Sequence, residues 1–136
     1  MKFYTIGYGN RVHNVFFEII KNAGIKTVLD IREKASGWSP FYRLTKKYDT
    51  GIVGKLAEIN VDYIWLPDFG NPFRNNKNWR SDYANLLDLK WDKHVSKLVA
   101  TKHPACLMCG CLRVENCHRE IIAQKLKVLG HEIRHL

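Results

Sequence analysis

The stretch from Pro104 to Ile121, PACLMCGCLRVENCHREI, decides the fold because it runs from a strand through a short loop into a helix. Its opening segment, PACLMC, is apolar and begins with a proline, which is typical of a buried strand. The segment HREIIAQKLKVLG, beginning at His118, has apolar residues at helical spacing, and Gly130 is a good helix stop. A strand followed directly by a helix predicts an α/β unit.

The rest of the chain alternates between the same two kinds of element. Short β-rich runs occur as KFYTIGY at 2–8, KTVLDIR at 26–32, VDYIWLP at 61–67 and HEIRHL at 131–136. Helical spacing occurs from Val15 to Ala23, from Ile52 to Ala57 and, longest, from Arg80 to about Lys102. This alternation predicts one α/β domain over residues 1–136, a three-layer α/β/α sandwich with a mostly parallel sheet of roughly five strands. The pattern does not give the strand order.

Charge points to the kind of partner. The chain of 136 residues has 22 Lys and Arg against 13 Asp and Glu, a net charge of +9. This charge favours an anionic small molecule or nucleic acid as partner, unless it is only a solvated basic surface. The N-terminus, MKFYTIGYGN, has no apolar signal segment, and no stretch approaches the roughly 18 apolar residues that cross a bilayer. We therefore expect a cytoplasmic protein with no membrane partner and no cofactor.

Glycine and polar side chains follow the predicted strands. In a parallel sheet the carboxyl ends of the strands meet at one edge, where ligands bind. Asp30 and Arg32 are two apart on a strand, so they share a face and are expected to pair, either as a plain ion pair or with Arg32 also reaching an anion. Gly7, Asn10 and Gly70 follow the first and third strands, where glycine permits close approach to a ligand. We predict that Arg32 and these three residues bind the ligand.

All four cysteines lie in the quoted stretch, at positions 106, 109, 111 and 117. Because side chains alternate along a strand, Cys106 and Met108 are expected on one face, and Cys109 and Cys111 on the other. Cys106 is predicted to be a core residue. Cys109 and Cys111 end the strand and Cys117 precedes the helix, so these three are expected to converge, with Cys111 contacting the ligand.

Cys117, His118 and Arg119 stand at the predicted helix start, where unpaired backbone N–H groups and the helix dipole stabilise an anion. Cys117 is therefore predicted to be a nucleophilic or redox thiol with a lowered pKa, and Cys109 is the second candidate. His118 or Asp30 would move protons, and Arg119 would hold the negative charge of the ligand. The alternative is that Cys117 packs beneath the helix.

The same residues include thiol and imidazole groups of the kind that bind zinc. Structural zinc sites usually take two separated pairs of ligands, each on a tight turn, whereas here a C-x2-C overlaps a strand and a C-x-C follows directly. The spacing therefore favours no metal. A disulfide from Cys117 to Cys109 or to Cys111 is a further alternative.

Two long loops combine basic and aromatic residues: KASGWSPFYRLTKKY at 34–48 and GNPFRNNKNWR at 70–80. This composition is typical of surfaces that track phosphates and stack bases. It supports an alternative function, a single-stranded nucleic-acid-binding module whose cysteines are structural. The other interpretation is that the aromatic side chains pin the loops to the body of the domain.

Taken in order, these motifs resemble the domain-of-unknown-function family 488 (DUF488), a group of small bacterial and archaeal proteins. The likeness spans nearly the whole chain and rests on YTIGYGN, VLDIR, YIWLPDFG, LMC, NCHR and a final strand with His135. The resemblance implies a site at these motifs rather than a particular reaction. Where the family usually has Cys-Ala-Glu, this chain has Cys109, Gly110 and Cys111, and Tyr8 stands where the family has a histidine. A carboxylate and an imidazole of the family are therefore replaced here.

Overall fold

A computed structural model of the chain describes residues 1–35 and 51–136. Most of the first basic, aromatic loop, predicted at 34–48, lies outside the described residues. The described strands are β1 (Lys2–Gly7), β2 (Thr27–Asp30), β3 (Asp62–Trp65), β4 (Ala105–Cys109) and β5 (Glu132–His135). The described helices are α1 (His13–Asn22), α2 (Ile52–Ala57), α3 (Trp79–Val99) and α4 (His118–Val128).

The described strands form one sheet in the order β3-β2-β4-β1-β5, and every neighbouring pair is parallel. β4 lies at the centre, with Leu107 opposite Thr5 of β1 and Leu29 of β2. The inner strands β2 and β4 are buried along their whole length, as expected where helices cover both faces of a parallel sheet. The edge strands β3 and β5 are partly exposed. The predicted α/β sandwich is confirmed.

Helices cover both faces of the sheet. Apolar side chains of α1 and α2 belong to one core cluster, and those of α3 and α4 belong to the other. Cys106 and Met108 face α1 and α2, whereas Leu107 and Cys109 face α3 and α4. The alternation predicted for β4 is therefore confirmed, and so is the core position of Cys106, which is 0% exposed.

The helix ends agree with the sequence signals. Gly24 and Gly130, which follow α1 and α4, have φ angles of +69° and +94°, in the left-handed region that glycine adopts without strain. The sequence pattern missed Tyr83 on the apolar stripe of α3. This residue is buried, and its hydroxyl donates a hydrogen bond of 2.7 Å to the carbonyl oxygen of Phe69.

The topology opens a crevice at the carboxyl edge of the sheet. β2 and β4 are neighbours, but the helix after β2 packs on one face and the helix after β4 packs on the opposite face. Where successive connections diverge in this way, a ligand crevice forms outside the strand ends. Within the part of the chain that the structure describes, no helix has the length and apolar character needed to span a membrane.

Candidate functional site

The loop between β4 and α4 brings three cysteines to the carboxyl edge of the sheet. β4 ends at Cys109, one 3-10 turn covers Val114–Asn116, and Cys117 is the N-cap of α4. Cys109 and Cys117 are buried, whereas Cys111 is exposed. All four cysteines belong to the described residues and are free thiols, so the alternative disulfides are not formed.

Cys109, Cys117 and His118 form a compact group of donor atoms. Their two sulfurs and Nδ1 of His118 all lie within 4.8 Å of one another. Nδ1 is 3.9 Å from Sγ of Cys109 and 3.8 Å from Sγ of Cys117. Cys111 lies in the same loop, and its thiol affects the acidity of the two buried cysteines; we call Cys109, Cys111, Cys117 and His118 the sulfur cluster. The predicted convergence is observed for Cys109 and Cys117, and the expectation that no metal is bound stays a prediction.

His118 is fixed in one protonation state by its surroundings. Its Nε2 lies 2.9 Å from the carbonyl oxygen of Ile31, and because a carbonyl only accepts, Nε2 carries the proton and donates it. Burial lowers the pKa of His118, so the ring is neutral and Nδ1 presents its lone pair to the sulfurs. The ring of Tyr83 packs edge-on against the imidazole, with ring centroids 5.1 Å apart.

The thiols of the sulfur cluster differ in acidity. Hydrogen bonds from Cys111 and Cys117, together with backbone N–H groups of Cys111 and Gly110, hold the pKa of Cys109 well below its usual range. The pKa of Cys117 is raised because its thiol hydrogen-bonds to Cys109 and Cys111 and is buried. The sequence placed the lowered pKa at Cys117, and this is corrected: as a donor to an already anionic sulfur, Cys117 keeps its own proton despite its helix-start position.

Arg119 lies beneath the loop rather than in a ligand pocket. Its side chain is 1% exposed; Nη1 donates to the carbonyl of Cys111 at 2.7 Å, and Nη2 donates to that of Leu112 at 3.0 Å. Arg119 takes part in none of the ion pairs between described residues. Its positive charge acts on the nearby Cys117 sulfur and favours the anionic form there. Arg119 therefore shapes the loop from behind, and its predicted contact with a ligand has no geometric support.

Asp30 and Arg32 pair as predicted. Nη2 of Arg32 is 2.6 Å from Oδ2 of Asp30, and Nε lies 2.9 and 3.0 Å from the two carboxylate oxygens. The hydroxyl of Tyr63 donates to Oδ2 at 2.5 Å, and Nη1 of Arg32 donates to the hydroxyl of Tyr8 at 3.3 Å. Asp30 is 0% exposed, so it is placed to orient Arg32 rather than to exchange protons with a ligand.

A cleft of about 760 Å³ lies at this edge of the sheet. Arg32 and the whole sulfur cluster contribute to its wall. Two cations, three amides and one indole also line it: Lys34, Arg74, Asn71, Asn75, Asn116 and Trp79. Glu33 is the one carboxylate among the described lining residues. The structure thus brings five predicted site residues to one cleft: Arg32, Cys109, Cys111, Cys117 and His118.

Gly7, Asn10 and Gly70 are not among the described residues that line the cleft. A Cβ on Gly7 would lie 1.5 Å from the carbonyl oxygen of Cys111, and one on Gly70 would lie 2.5 Å from Cα of Glu33. The missing side chain of each glycine therefore leaves room for a neighbouring segment of the protein's own backbone. The sequence analysis had predicted that a ligand would lie there. Asn10 is exposed and has a φ of 56°, which places it at a turn.

Tyr63 and Tyr83 support the site but were not predicted from the sequence. Tyr63 holds the Asp30 carboxylate from β3, and Tyr83 packs on the His118 ring from α3. Each is distant in sequence from the residue it supports. Their roles follow from which elements are neighbours, which the residue pattern alone does not encode.

Comparison with known proteins relates this site to a protein family. No curated protein and no solved structure matches the chain. The model of the family described as "Domain of unknown function DUF488" matches residues 13–126 of the 136-residue chain. The matched span includes the Asp30–Arg32 pair and the whole sulfur cluster. The chain therefore belongs to the DUF488 family.

Proposed function

We propose that the cleft binds an anionic, nucleotide-like or phosphorylated small molecule, and that the sulfur cluster is the chemically reactive part of its wall. The observation behind this proposal is the composition of the cleft. Lys34 and Arg74 supply positive charge, and Asn71, Asn75 and Asn116 supply amide donors, beside the sulfur cluster. A volume of about 760 Å³ falls within the range of small-molecule sites.

The two outer cations are expected to contribute most to binding the anion. The guanidinium of Arg32 is already paired through two nitrogens with the Asp30 carboxylate, which neutralises much of its charge. Lys34 and Arg74 are exposed at the cleft, and neither belongs to an ion pair between described residues. They would meet an incoming phosphate first, and the amides would fix its orientation.

The alternative of a single-stranded nucleic-acid-binding module remains a prediction. Of the loop at 70–80, the aromatic residues Phe73 and Trp79 are partly buried and pack against the core. Arg80 lies over the Trp79 ring, with its Cζ 4.9 Å from the centroid. These contacts fit the interpretation in which the aromatics pin the loop to the body. We therefore favour a small anion as ligand.

The proposal is tested by isothermal titration with a panel of nucleoside phosphates and sugar phosphates, alongside the matching uncharged nucleosides and sugars. We expect at least one phosphorylated compound to bind and its uncharged partner not to bind. Lys34→Ala combined with Arg74→Ala should weaken that binding by about tenfold or more, which corresponds to about 1.4 kcal/mol.

The matched control is Lys93→Ala combined with Lys127→Ala, which removes the same charge from exposed positions on α3 and α4 that do not line the cleft. The control should bind as the unmodified protein does. An equal loss of affinity in both double variants would mean that binding depends only on the net charge of the protein. That result would overturn the cleft as the binding site. A single-stranded oligonucleotide that displaces the small molecule would redirect the proposal to nucleic acid.

A further inference from the structure

The His118 ring has a lone pair aimed into a buried space with sulfur neighbours. The residue is 5% exposed, and its proton is committed to the carbonyl of Ile31 on the other ring nitrogen. A metal-binding histidine typically has this arrangement, in which a backbone carbonyl accepts from the ring N–H and fixes the free nitrogen toward the metal.

The spacing of the donor atoms matches a tetrahedral site. Zinc bonds of about 2.3 Å to sulfur and about 2.0 Å to nitrogen place the sulfur and nitrogen ligand atoms of a tetrahedral site about 3.5 Å apart. The observed distances from Nδ1 of His118 are 3.9 Å to Cys109 and 3.8 Å to Cys117. These two edges are therefore within a few tenths of an ångström of those of a tetrahedral zinc site, and the two sulfurs lie within 4.8 Å of each other.

Cys111 completes the set from the solvent side. It belongs to the same loop and lines the same cleft as Cys109, Cys117 and His118. Unlike the other three members of the sulfur cluster, it is exposed. The cluster thus offers three buried donors and a fourth that faces the cleft.

The charge behind the cluster also favours a negatively charged centre. Arg119 is 1% exposed and has no ion-pair partner among the described residues, and a buried cation without a counter-charge is costly. The N-terminus of α4, whose N-cap is Cys117, adds the positive end of a helix dipole. A divalent ion bound by three thiolates and one neutral imidazole carries a single net negative charge, which would compensate Arg119.

We propose that the sulfur cluster binds one Zn²⁺ ion through Cys109, Cys111, Cys117 and His118. Thiolate and imidazole ligands in a tetrahedral arrangement select zinc over the hard cations that prefer oxygen. This proposal replaces the expectation, drawn from residue spacing, that no metal is bound. The site itself does not depend on the anion, whereas a role for the ion as a Lewis acid toward the ligand rests on the proposed function.

The test begins with protein stripped of metal by a chelator under reducing conditions and then titrated with Zn²⁺ against a competing indicator. We expect binding of one ion per chain. Titration with Co²⁺ should give the intense visible bands of tetrahedral cobalt and thiolate-to-metal charge-transfer absorption. Neither measurement needs an anion, so failure of the metal site and failure of the proposed function are distinguishable.

Variants locate the ion. Cys117→Ser should weaken Zn²⁺ binding by more than about 100-fold, because loss of a direct ligand should cost at least as much as loss of an outer-shell partner. Cys111→Ser, at an exposed position that tolerates substitution, should weaken binding by about tenfold and reduce the charge-transfer absorption. Cys106→Ala removes the cysteine on the opposite face of β4 and should leave binding unchanged.

Three results would overturn the proposal. The first is metal-free protein that binds no Zn²⁺ while it remains folded by circular dichroism. The second is a cobalt spectrum without thiolate charge transfer. The third is loss of binding in Cys106→Ala equal to that in Cys111→Ser, which would place the ion elsewhere or make the effect indirect.

Discussion

At the scale of single residues, Gly7 is the position where the site leaves no room for a side chain. A Cβ there would lie 1.5 Å from the carbonyl oxygen of Cys111, and that oxygen also accepts the hydrogen bond from Arg119. Gly7→Ala must therefore displace the loop that carries the sulfur cluster. We expect it to lower the free energy of unfolding by about 3 kcal/mol or more, or to prevent folding, as measured by urea denaturation.

Gly24→Ala is the matched control for this change. Gly24 has a φ of +69°, and nothing lies within 4 Å of a Cβ built on it. The substitution should cost only the backbone strain of the left-handed region, about 1–2 kcal/mol. Equal costs at the two glycines would mean that the close approach of Cys111 does not decide the identity of residue 7.

The four thiols should differ in accessibility in the reduced, metal-free protein. Cys111 is exposed, so iodoacetamide should modify it first. Cys106 is 0% exposed and burial raises its pKa, so it should react only as fast as the whole domain unfolds. Mass spectrometry of peptides over time gives the order, and modification of Cys106 in a chain that keeps its native circular dichroism would contradict it.

The sequence predicted some residue-level features and missed others for identifiable reasons. The burial of Cys106 followed from strand alternation, which is a local rule. Which thiol is anionic could not be predicted in this way. The pKa of Cys109 depends on thiols and backbone N–H groups of the loop after β4, and that loop has no regular residue pattern from which its conformation could be predicted. The roles of Gly7 and Gly70 also required knowledge of which backbone segment lies over each glycine.

At the scale of elements, the turn between β4 and α4 is held by one buried side chain. Arg119 donates to the carbonyls of Cys111 and Leu112, which lose their donors in Arg119→Met. We expect faster hydrogen exchange of the backbone amides in this turn, and a loss of stability of about 2 kcal/mol because the buried acceptors are left unsatisfied. Hydrogen exchange read by mass spectrometry tests the local effect.

Arg113→Met is the control within the same turn. The Arg113 side chain is 73% exposed, and its ion pair with Glu115 has an N–O distance of 4.0 Å. Exposed pairs of this kind contribute little, so stability should change by no more than about 0.5 kcal/mol and exchange should stay the same. Exchange that accelerates equally in both variants would show that Arg119 is not what holds the turn.

The last strand is expected to make stability sensitive to pH. Nδ1 of His135 lies 2.7 Å from the hydroxyl oxygen of Thr5. Burial and the charges of Arg119 and Lys127 lower the pKa of His135, against an opposing effect of Glu120. Because the folded pKa lies below the unfolded value of about 6.5, the unfolded chain binds the extra proton, and stability is lost as the pH falls below about 6.5 toward the folded pKa.

Urea midpoints at about pH 7.5 and about pH 5.5 measure this dependence. The unmodified protein should be less stable at the lower pH, and His135→Gln should reduce the difference. If the two urea midpoints differ as much in His135→Gln as in the unmodified protein, the pH dependence arises from other histidines.

The positions of helices and strands were the features that the sequence predicted best. Each strand and helix expected from the residue pattern is present with ends shifted by a few residues, because apolar spacing and glycine stops act locally. The supporting role of Tyr83 was missed because α3 is long and mixed in polarity. Its contact with His118 lies across two helices that are far apart in the chain.

At the scale of the whole molecule, the strand order decides where the site lies, and the residue pattern does not contain it. An apolar strand can pair with any neighbouring strand in a position that buries it. The residue pattern is therefore compatible with many orders of β1 to β5 in the sheet. The observed order sets β4 between β1 and β2, and this puts the sulfur cluster beside Arg32 in one cleft. The sequence could predict that residues at the strand ends gather at one edge of the sheet, but not which strand ends are neighbours.

That order also has a consequence for synthesis on the ribosome. Among the described strands, β1 pairs with β4 and β5 alone, so it has none of these neighbours until residue 105 and those after it have emerged. A nascent chain that stops after α3 therefore leaves one edge of β2 and both edges of β1 unpaired and exposes an apolar face, the kind of surface that chaperones and proteases recognise. We expect a fragment of residues 1–100 to aggregate or be degraded in cells, whereas the full chain accumulates. The four residues of the proposed zinc site, Cys109 to His118, are made in that same final section, so we expect a chain that stalls early to be removed before this site exists.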